Sequence, residues 1–263
     1  MSQTTGTKKS TPTLAFGVDI GGSGIKGAPV DLERGEFAAE RVRIPTPEVS
    51  TPAAVAAVVA KVVESFHLPL DVPVGVTFPA VVQHGIARSA ANVDSSWIGT
   101  NIEAVLGKAL GRKVVAFNDA DAAGYAEATY GAARGTNGVT LITTLGTGIG
   151  TAMVVDGVLV PNLELGHLEI DGLDAESQAS DGARDRDKLS WEEWAKRLQR
   201  YYGTLEDLLW PDLIVVGGGV SKNHAKFLPL LHLRAPIVPA QLRNAAGIVG
   251  AAALAARAAK PQH

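Results

Sequence analysis

The sequence predicts an α/β fold with two lobes, and three observations support this prediction. The apolar residues 14–18 lead into Asp19 and a glycine-rich turn, which a second apolar segment follows. Another unit of strand, glycine turn and strand lies 125 positions later, where Gly146 matches Gly21, and this repeat indicates two related halves. The chain has 263 residues, 46% of them hydrophobic, so it can bury one large core or two modest ones.

The first glycine turn is a candidate phosphate-binding loop. It consists of Gly21, Gly22, Ser23 and Gly24. Such a sequence turns tightly and can present bare backbone N–H groups to an oxyanion. It lacks the Gly-Lys-Ser/Thr ending of a P-loop, and no long helix pattern follows it as a dinucleotide fingerprint requires. A strand over residues 25–30 follows instead, so a glycine-rich hairpin without a ligand is the alternative interpretation.

The next segment predicts two strands and a helix. Residues 37–44 continue the first sheet as a third strand, which two prolines end. Thr51 followed by Pro52 predicts a helix start, because a hydroxyl caps the helix and proline suits its first position. An apolar Ala/Val repeat continues this helix. A buried strand over residues 72–76 then leads to a turn fixed by Pro79.

Asn118 and Asp119 lie where a strand over residues 114–117 gives way to a helix over residues 120–130. Polar residues at the carboxyl end of a strand in an open α/β sheet lie in the crevice where ligands bind. Asn118 and Asp119 are therefore candidate ligand-binding residues. The alternative is that Asp119 only caps the helix, which would leave Asn118 unexplained. We expect Asp121 to interact with the helix dipole from the first turn.

The second half of the chain predicts a hairpin and two further helices. The hairpin strands cover residues 140–144 and 151–155, on either side of a second glycine turn. Residues 184–188 alternate basic and acidic side chains and are interpreted as a mobile connection. Ser190 opens a capping box and a helix that reaches about residue 202. One face of this helix carries a core or subunit-interface stripe, formed by Trp191, Trp194 and Leu198. An alanine-rich helix over 247–259 follows.

Composition and charge narrow the class of protein. The absence of cysteine excludes a disulfide framework and a thiolate metal site. Residues 1–13 are expected to be a flexible tail and not a signal peptide. No apolar stretch reaches the roughly 20 residues that a membrane span needs. We therefore expect a cytoplasmic protein. The first 212 residues carry a net charge of −9 and the final 51 carry +6. This asymmetry indicates a polyanion-binding surface, unless the cations are scattered over solvated faces.

These features resemble the sugar kinases of the actin/hexokinase/Hsp70 fold, which is ribonuclease H-like and has a cleft between two lobes. Two glycine hairpins grip phosphate in those proteins. The segment Phe117 to Gly124 resembles the catalytic segment of the ROK family of bacterial sugar kinases, and Glu164-Leu165-Gly166-His167 extends the match. The resemblance covers nearly everything from Phe16 to Ala259 and is strongest to the polyphosphate glucokinases of actinobacteria.

The resemblance implies a site for phosphoryl transfer to a sugar. Asp119 is the implied general base, and Asp19 is the implied partner of Mg²⁺, through water. The implied sugar-binding residues are Asn92, Asn118, Asp119, Glu164, His167 and Glu176. The implied phosphate- or nucleotide-binding residues are Gly21, Gly22, Ser23, Gly24, Lys26, Gly146, Thr147, Gly148, Gly217, Gly218 and Gly219. From its own surroundings, Asn92 could instead be a plain turn residue, which is the commoner role of asparagine in such a position.

The sequence departs from most ROK kinases at the zinc site. In those proteins the matching histidine ligates a zinc ion held by a cysteine-rich loop, whereas this chain has no cysteine and a shorter loop over residues 170–177. We therefore predict no zinc, with Glu176 as the counterpart of the loop's terminal glutamate. An imidazole needs a partner for its second nitrogen to fix the tautomer. Glu169 and Asp171 are the candidates for orienting His167.

The implied reaction moves the terminal phosphoryl group of inorganic polyphosphate or ATP, with Mg²⁺, to the 6-hydroxyl of glucose, and mannose is a further candidate acceptor. The alternatives are an ATP-only ROK hexose or N-acylhexosamine kinase and, more remotely, a sugar-sensing ROK regulator. Such regulators carry a helix-turn-helix domain ahead of this fold, and the residues before the first strand are too few for one. The expected partners are small molecules and a second copy in a homodimer, without nucleic acid or membrane. The expected lobes cover 14–118 plus 246–263 and 119–245.

Overall fold

The computed structural model describes residues 13–90 and 93–260, and within these ranges it forms two larger mixed sheets and two small two-stranded sheets, surrounded by helices. The strands in chain order are β1 (Leu14–Gly21), β2 (Gly24–Asp31), β3 (Glu36–Phe37), β4 (Val42–Ile44), β5 (Val74–Phe78), β6 (Val82–Gln83), β7 (Ile86–Ala87), β8 (Val114–Asn118), β9 (Val139–Leu145), β10 (Ile149–Val155), β11 (Val158–Val160), β12 (Glu169–Ile170), β13 (Leu173–Asp174), β14 (Leu213–Gly217) and β15 (Ile237–Pro239). The helices are α1 (Pro52–Glu64), α2 (Ile102–Leu110), α3 (Asp119–Tyr130), α4 (Ala175–Ala179), α5 (Asp181–Arg186), α6 (Trp191–Leu209) and α7 (Ala246–Ala258).

The two sheets share one plan, which confirms the α/β prediction. In the first sheet the order is β3-β2-β1-β5-β8, and β4 also pairs with β2. In the second sheet the order is β11-β10-β9-β14-β15. Each contains an antiparallel glycine hairpin, β1 with β2 or β9 with β10. The first strand of each hairpin pairs in parallel with a neighbour, β5 or β14, which pairs in parallel with a further strand, β8 or β15. The sequence repeat therefore corresponds to two hairpins at equivalent places.

Two strands of the first sheet differ from the sequence prediction. Residues 37–44 do not form one strand, because β3 and β4 pair with β2 in registers that differ by two residues and the chain between them leaves the ladder. The predicted strand over residues 72–76 lies two residues later, as β5. Its place is set by the register with β1, in which Phe16 faces Val74.

The helix starts follow the predicted capping chemistry. Thr51 accepts a hydrogen bond from the N–H of Ala54, and Ser190 and Glu193 form the complete capping box of α6. Helix α6 continues past residue 202 because its buried face continues through Leu205. No helix in the described ranges has both the length and the apolar character that a bilayer crossing needs.

The expected mobile connection over residues 184–188 is instead largely helical. Ser180 caps α5 by accepting the N–H of Ala183, and Arg184 donates to Asp181 at 2.9 Å. The Arg184 guanidinium also stacks 4.3 Å from the ring centroid of Trp191. Local capping and this stacking order the segment.

The aromatic stripe of α6 belongs to a core. Trp194 and Leu198 are fully buried against the second sheet, and Trp191 packs beside them. The first sheet has its own core with α1 and α2. Subunit contact is therefore not needed to explain the buried part of this stripe.

The C-terminal helix α7 packs on β1 and β5 of the first sheet and on α3. Glycine permits this approach, because a Cβ at Gly17 or Gly75 would collide with α7 backbone carbonyls, and one at Gly250 would collide with the carbonyl of Ala122. Residues 246–258 thus join the N-terminal sheet and the helix that begins at Asp119. The lobe boundaries predicted from the sequence stay a prediction.

Candidate active site

Most of the predicted sugar-site residues line one cavity of about 700 Å³. It lies where β8 ends and α3 begins, beside the second glycine turn. The predicted residues that line it are Asn118, Asp119, Gly146, Thr147, Gly148, Glu164, His167, Glu176 and Gly218. Its opposite wall is the turn after β5, formed by Pro79, Ala80 and Val81, with Ser89 nearby.

Two further cavities continue from the first. The second, of about 200 Å³, is lined by Asp19, Lys26 and Gly217, and it shares Asp119, Thr144 and Gly218 with the first. The third, of about 370 Å³, contains Ser221 and His224, and it shares Ala240 and Arg243 with the second. Asp119 therefore lies at a junction between the larger cavity and a path that leads past Arg243.

The helix cap at this junction is Asn118 and not Asp119. The Asn118 Oδ1 accepts the N–H of Asp121 at 3.0 Å, and its Nδ2 donates to the carbonyl of Ala80 at 3.0 Å. Asp119 is the first helical residue, and its Oδ1 accepts the N–H of Ala120 at 2.9 Å. Because Asn118 caps the helix, the cap alternative does not account for Asp119.

Asp119 has the electrostatics of a base that works near neutral pH. The Asp119 residue is exposed and lines the cavity, yet the surrounding protein atoms displace much of the water that would solvate its carboxylate. The pKa of Asp119 is raised to about 6, chiefly by this desolvation and to a smaller extent by the charges of Asp19 and Glu164, while backbone hydrogen bonds oppose this rise. A general base is most effective when its pKa is close to the working pH.

His167 is oriented by a residue that the sequence reasoning did not select. Its Nδ1 donates to Oδ2 of Asp174 at 2.9 Å, whereas Asp171 forms a two-point ion pair with Arg200. Asp174, and not Glu169 or Asp171, is therefore the tautomer partner. Asp174 also caps α4 by accepting the N–H of Ser177, so the Asp-Ala-Glu-Ser pattern was the available sequence signal. The hydrogen bond to Asp174 raises the pKa of His167.

The other two predicted sugar-site acids differ in their surroundings. Burial raises the pKa of Glu164, although the charge of His167 opposes this. Glu176 accepts the N–H of Ile149 through Oε2 at 2.7 Å. A Cβ at Gly148 would collide with this carboxylate, so glycine is required for the turn to close on Glu176. Glu176 thus holds the second glycine turn as well as lining the cavity.

Asp19 is the candidate metal-associated residue. Its Oδ2 accepts from the Lys26 ammonium at 3.1 Å, and its Oδ1 accepts from the Thr77 hydroxyl at 3.0 Å. Within residues 13–90 and 93–260, no cluster of three or more His, Asp or Glu side chains could hold a metal ion by itself. A single carboxylate facing a phosphate path fits Mg²⁺, which commonly keeps several waters and completes its shell with substrate phosphates. The prediction that the chain holds no zinc stays a prediction.

Part of the predicted phosphate set lies elsewhere. The three cavities described above are not lined by Gly219 or by the first glycine turn, which consists of Gly21, Gly22, Ser23 and Gly24. The carbonyl of Gly21 accepts from the Thr46 hydroxyl, and the carbonyl of Ser23 accepts from Arg43. In the second turn the N–H of Gly146 donates to the carbonyl of Gly148, so that amide is already satisfied. Asn92 lies outside the described residues.

The cations of the acid-free C-terminal portion are not equivalent. Arg234 donates to Asp207 at 2.7 Å, lies 3.4 Å from Glu206, and stacks on the Trp210 ring at 4.1 Å. Lys226 lies 5.3 Å from the ring centroid of Trp191. Arg243 alone among these three lines the path from Asp119. Acids from the earlier part of the chain therefore neutralise one of the cations that the sequence suggested for polyanion binding.

Comparisons with known proteins show which family the sequence matches. The sequence model of the ROK family matches residues 15–182. The chain is 48% identical over 244 residues to the polyphosphate glucokinase of Mycobacterium tuberculosis. This alignment covers 92% of this chain and 91% of that protein.

Solved structures show the same fold. The inorganic polyphosphate/ATP-glucomannokinase of an Arthrobacter strain superimposes with a TM-score of 0.87 at 55% identity, covering 94% of this chain and 99% of that one. The ROK family glucokinase of Streptomyces griseus, in complex with glucose and AMPPNP, gives a TM-score of 0.77 at 26% identity, covering 93% and 99%. The two-lobed, actin/hexokinase-like fold expected from the sequence is confirmed by these matches.

Proposed function

This chain belongs to the ROK family, and from that premise we propose that it transfers the terminal phosphoryl group of inorganic polyphosphate or ATP to the 6-hydroxyl of glucose. The observation that carries the proposal is the position of Asp119. Its carboxylate borders both the sugar-sized cavity and the path toward Arg243. A base at such a junction can contact an acceptor hydroxyl on one side and a donor phosphate on the other.

Asp119 would accept the proton of the sugar hydroxyl as its oxygen attacks the terminal phosphorus. The oxygen–phosphorus bond forms while the bond to the leaving phosphate breaks, and the proton passes to the carboxylate. A base of this kind contributes typically about 10²–10⁴-fold to the rate. Asn118 supports this role, because it caps α3 and fixes the first helical residue at the cavity wall.

The remaining sugar hydroxyls would be recognised by polar groups on the cavity wall. Glu164 and Glu176 offer carboxylate oxygens, and His167 offers Nε2 because Asp174 occupies Nδ1. We include Asn118 and Asn92 in this set on the family resemblance. A site built from such groups discriminates strongly against an analogue that leaves one of them without a partner.

The donor phosphates would be held by backbone amides and cations. Phosphoryl transfer spreads negative charge over the phosphoryl oxygens, so catalysis depends on positioning and charge neutralisation. The amides of Thr147 and Gly148 and the Lys26 ammonium lie on the cavity walls that support this role. Asp19 would hold Mg²⁺ through water, which supplies further charge neutralisation when the ion is bound.

Both donors are compatible with the third cavity. It continues beyond Arg243 along Ser221 and His224, where a nucleoside or additional phosphate groups could follow the transferred phosphate. We propose that both are used, because the relatives with the most extensive matches include polyphosphate glucokinases and a polyphosphate/ATP-glucomannokinase. An ATP-only hexose or N-acylhexosamine kinase is the second candidate, which the 26% identical glucokinase bound to AMPPNP favours.

The test is sugar 6-phosphate formation by the purified chain with glucose and Mg²⁺, supplied with ATP or with long-chain polyphosphate. We expect product with both donors, detected by coupled oxidation of glucose 6-phosphate. Product with ATP alone would select the second candidate, and product with neither donor would refute the proposal. Mannose in place of glucose tests the acceptor range. A cytoplasmic homodimer is part of the same proposal, and light scattering during size-exclusion chromatography measures its subunit number.

A further inference from the structure

Asp121 is a buried acid that the proposed reaction does not use. It lies two residues after Asp119 on α3, and its side chain is only 3% exposed. Its Oδ2 accepts the N–H of Asn162 at 2.8 Å, whereas its Oδ1 is buried without a hydrogen-bond partner in the described part of the chain. Asp121 lies in the first turn of α3, as the sequence predicted, and its side chain also makes a contact 41 positions along the chain.

Asn162 continues this contact to the opposite wall of the cavity. Its Oδ1 accepts the N–H of Val82 at 2.9 Å, and its Nδ2 donates to the carbonyl of Val82 at 2.9 Å. The backbone of Asn162 has a φ of +59°, a left-handed conformation that asparagine adopts more readily than most residues. Both polar groups of its side chain are thus paired with one residue of the β6–β7 hairpin.

The three connected segments carry three parts of the candidate sugar site. Helix α3 begins with Asp119, and Asn162 is two residues before Glu164. Val82 opens the β6–β7 hairpin directly after the wall formed by Pro79, Ala80 and Val81. The segment with Glu164 follows the second sheet, whereas the Val82 hairpin follows β5 of the first sheet. The contact therefore joins cavity walls that follow strands of different sheets.

We propose that Asp121 and Asn162 are positioning residues that form a latch between the two walls of the sugar cavity. The latch fixes Glu164 and the wall before Val82 relative to Asp119, so that one sugar can be held and deprotonated at the same time. The inference rests on the proposed sugar kinase function. Neither residue lines the cavity, and both act through the segments that they hold.

The electrostatics of Asp121 suit a latch beside a catalytic base. The pKa of Asp121 is raised to about 7, chiefly by burial and to a smaller extent by the charges of Asp119 and Glu164, while the hydrogen bond from Asn162 opposes this rise. The side chain therefore contributes less negative charge near Asp119 than an ordinary aspartate would. An amide could replace it, because only an acceptor oxygen is needed for the N–H of Asn162.

The key variant is Asn162→Gly, which removes both bonds to Val82 while glycine retains the left-handed backbone. We expect the KM for glucose to rise and kcat to fall by between about tenfold and a hundredfold, since small displacements of positioning groups have effects of this size. The KM for the phosphoryl donor should change less than about twofold. Asp121→Ala should behave similarly, whereas Asp121→Asn should restore near wild-type sugar kinetics because its amide oxygen still accepts from Asn162.

Gln199 offers a matched control. Its side-chain amide makes the same two-point contact with the backbone of His232, at 3.0 and 2.7 Å, and it does not line the cavity. Gln199→Ala should leave the KM for glucose unchanged. If Asn162→Gly does not fold, Asn162→Asp replaces it, because aspartate retains the acceptor for Val82 N–H and loses only the donor. An intermediate rise in the KM for glucose is then expected.

Hydrogen exchange gives a readout that does not depend on activity. Asn162→Gly should accelerate amide exchange at residues 81–84 and leave α3 unchanged. If the wild-type chain is active and the latch variants keep the KM for glucose within about twofold, the latch alone is overturned. The latch is also overturned if Asp121→Asn is as impaired as Asp121→Ala. A wild-type chain that phosphorylates no sugar would instead overturn the proposed function, and slow exchange at residues 81–84 in Asn162→Gly would overturn the latch independently.

Discussion

Replacing Asp121 by asparagine should stabilise the protein, and the gain should increase with pH. The pKa of an aspartate is about 4 in an unfolded chain, and burial raises the pKa of Asp121 to about 7 in the fold. The folded state therefore holds this proton more tightly. Between these two values the free energy of unfolding falls as pH rises, because the folded state binds more protons than the unfolded state does. Asparagine has the same shape and no such titration.

The magnitude follows from the difference in pKa. One pKa unit corresponds to 1.36 kcal/mol, so a difference of about three units amounts to roughly 4 kcal/mol when the carboxyl is fully ionised. Much of this change lies between pH 5 and pH 8. Over that interval we expect the advantage of Asp121→Asn over the wild type to grow by about 2–3 kcal/mol.

Urea unfolding at pH 5, 6, 7 and 8, followed by tryptophan fluorescence, measures this difference. Asp71→Asn, on the exposed surface, controls for the removal of one negative charge. Parallel stability curves for Asp121→Asn and the wild type over this range would refute the reasoning. A growing deficit for the variant would do so as well, because it would mean that the ionised carboxylate is favoured in the fold.

Three further predictions concern the reaction. Asp119→Asn should lower kcat by at least about 100-fold with little change in sugar affinity, and in the wild type kcat/KM for glucose should fall by about tenfold from pH 7 to pH 5, because the pKa of Asp119 is about 6 and the base must be unprotonated. Retention of more than a tenth of kcat would contradict the assignment. Arg243→Gln should make the KM for polyphosphate rise less steeply with salt concentration, because fewer phosphates are neutralised. The matched Arg234→Gln should leave this dependence unchanged, because Glu206 and Asp207 already pair with Arg234. Equal effects of the two variants would exclude Arg243 as a donor contact. Treatment with a zinc-selective chelator, followed by restoring Mg²⁺, should leave activity and melting temperature unchanged, and elemental analysis near one zinc per chain would disprove this.

Local signals in the sequence were sufficient for much of the fold. A helix start depends on contacts three residues apart, so Thr51 and the Ser190 capping box could be identified without the structure. The two glycine hairpins were likewise detectable, because the repeat lies in the sequence itself. The same locality placed Asn118 and Asp119 at the end of a strand, where a ligand crevice is expected.

Tertiary structure decided which polar side chains meet across long stretches of sequence. The partner of His167 is Asp174 rather than Asp171 because Arg200, 29 positions away, pairs with Asp171. Arg234 is neutralised by Glu206. The predicted strand over residues 37–44 is divided into β3 and β4 because the two segments pair with β2 in different registers.

The contact between Asn162 and Val82 spans 80 positions and joins segments that follow strands of different sheets. Neither residue has a local pattern that indicates the other, because each one's secondary structure is compatible with many partners. Composition and periodicity determine which side chains are buried and which elements form. The pairing of polar groups across a cleft depends on how those elements pack, and only the packed chain specifies it.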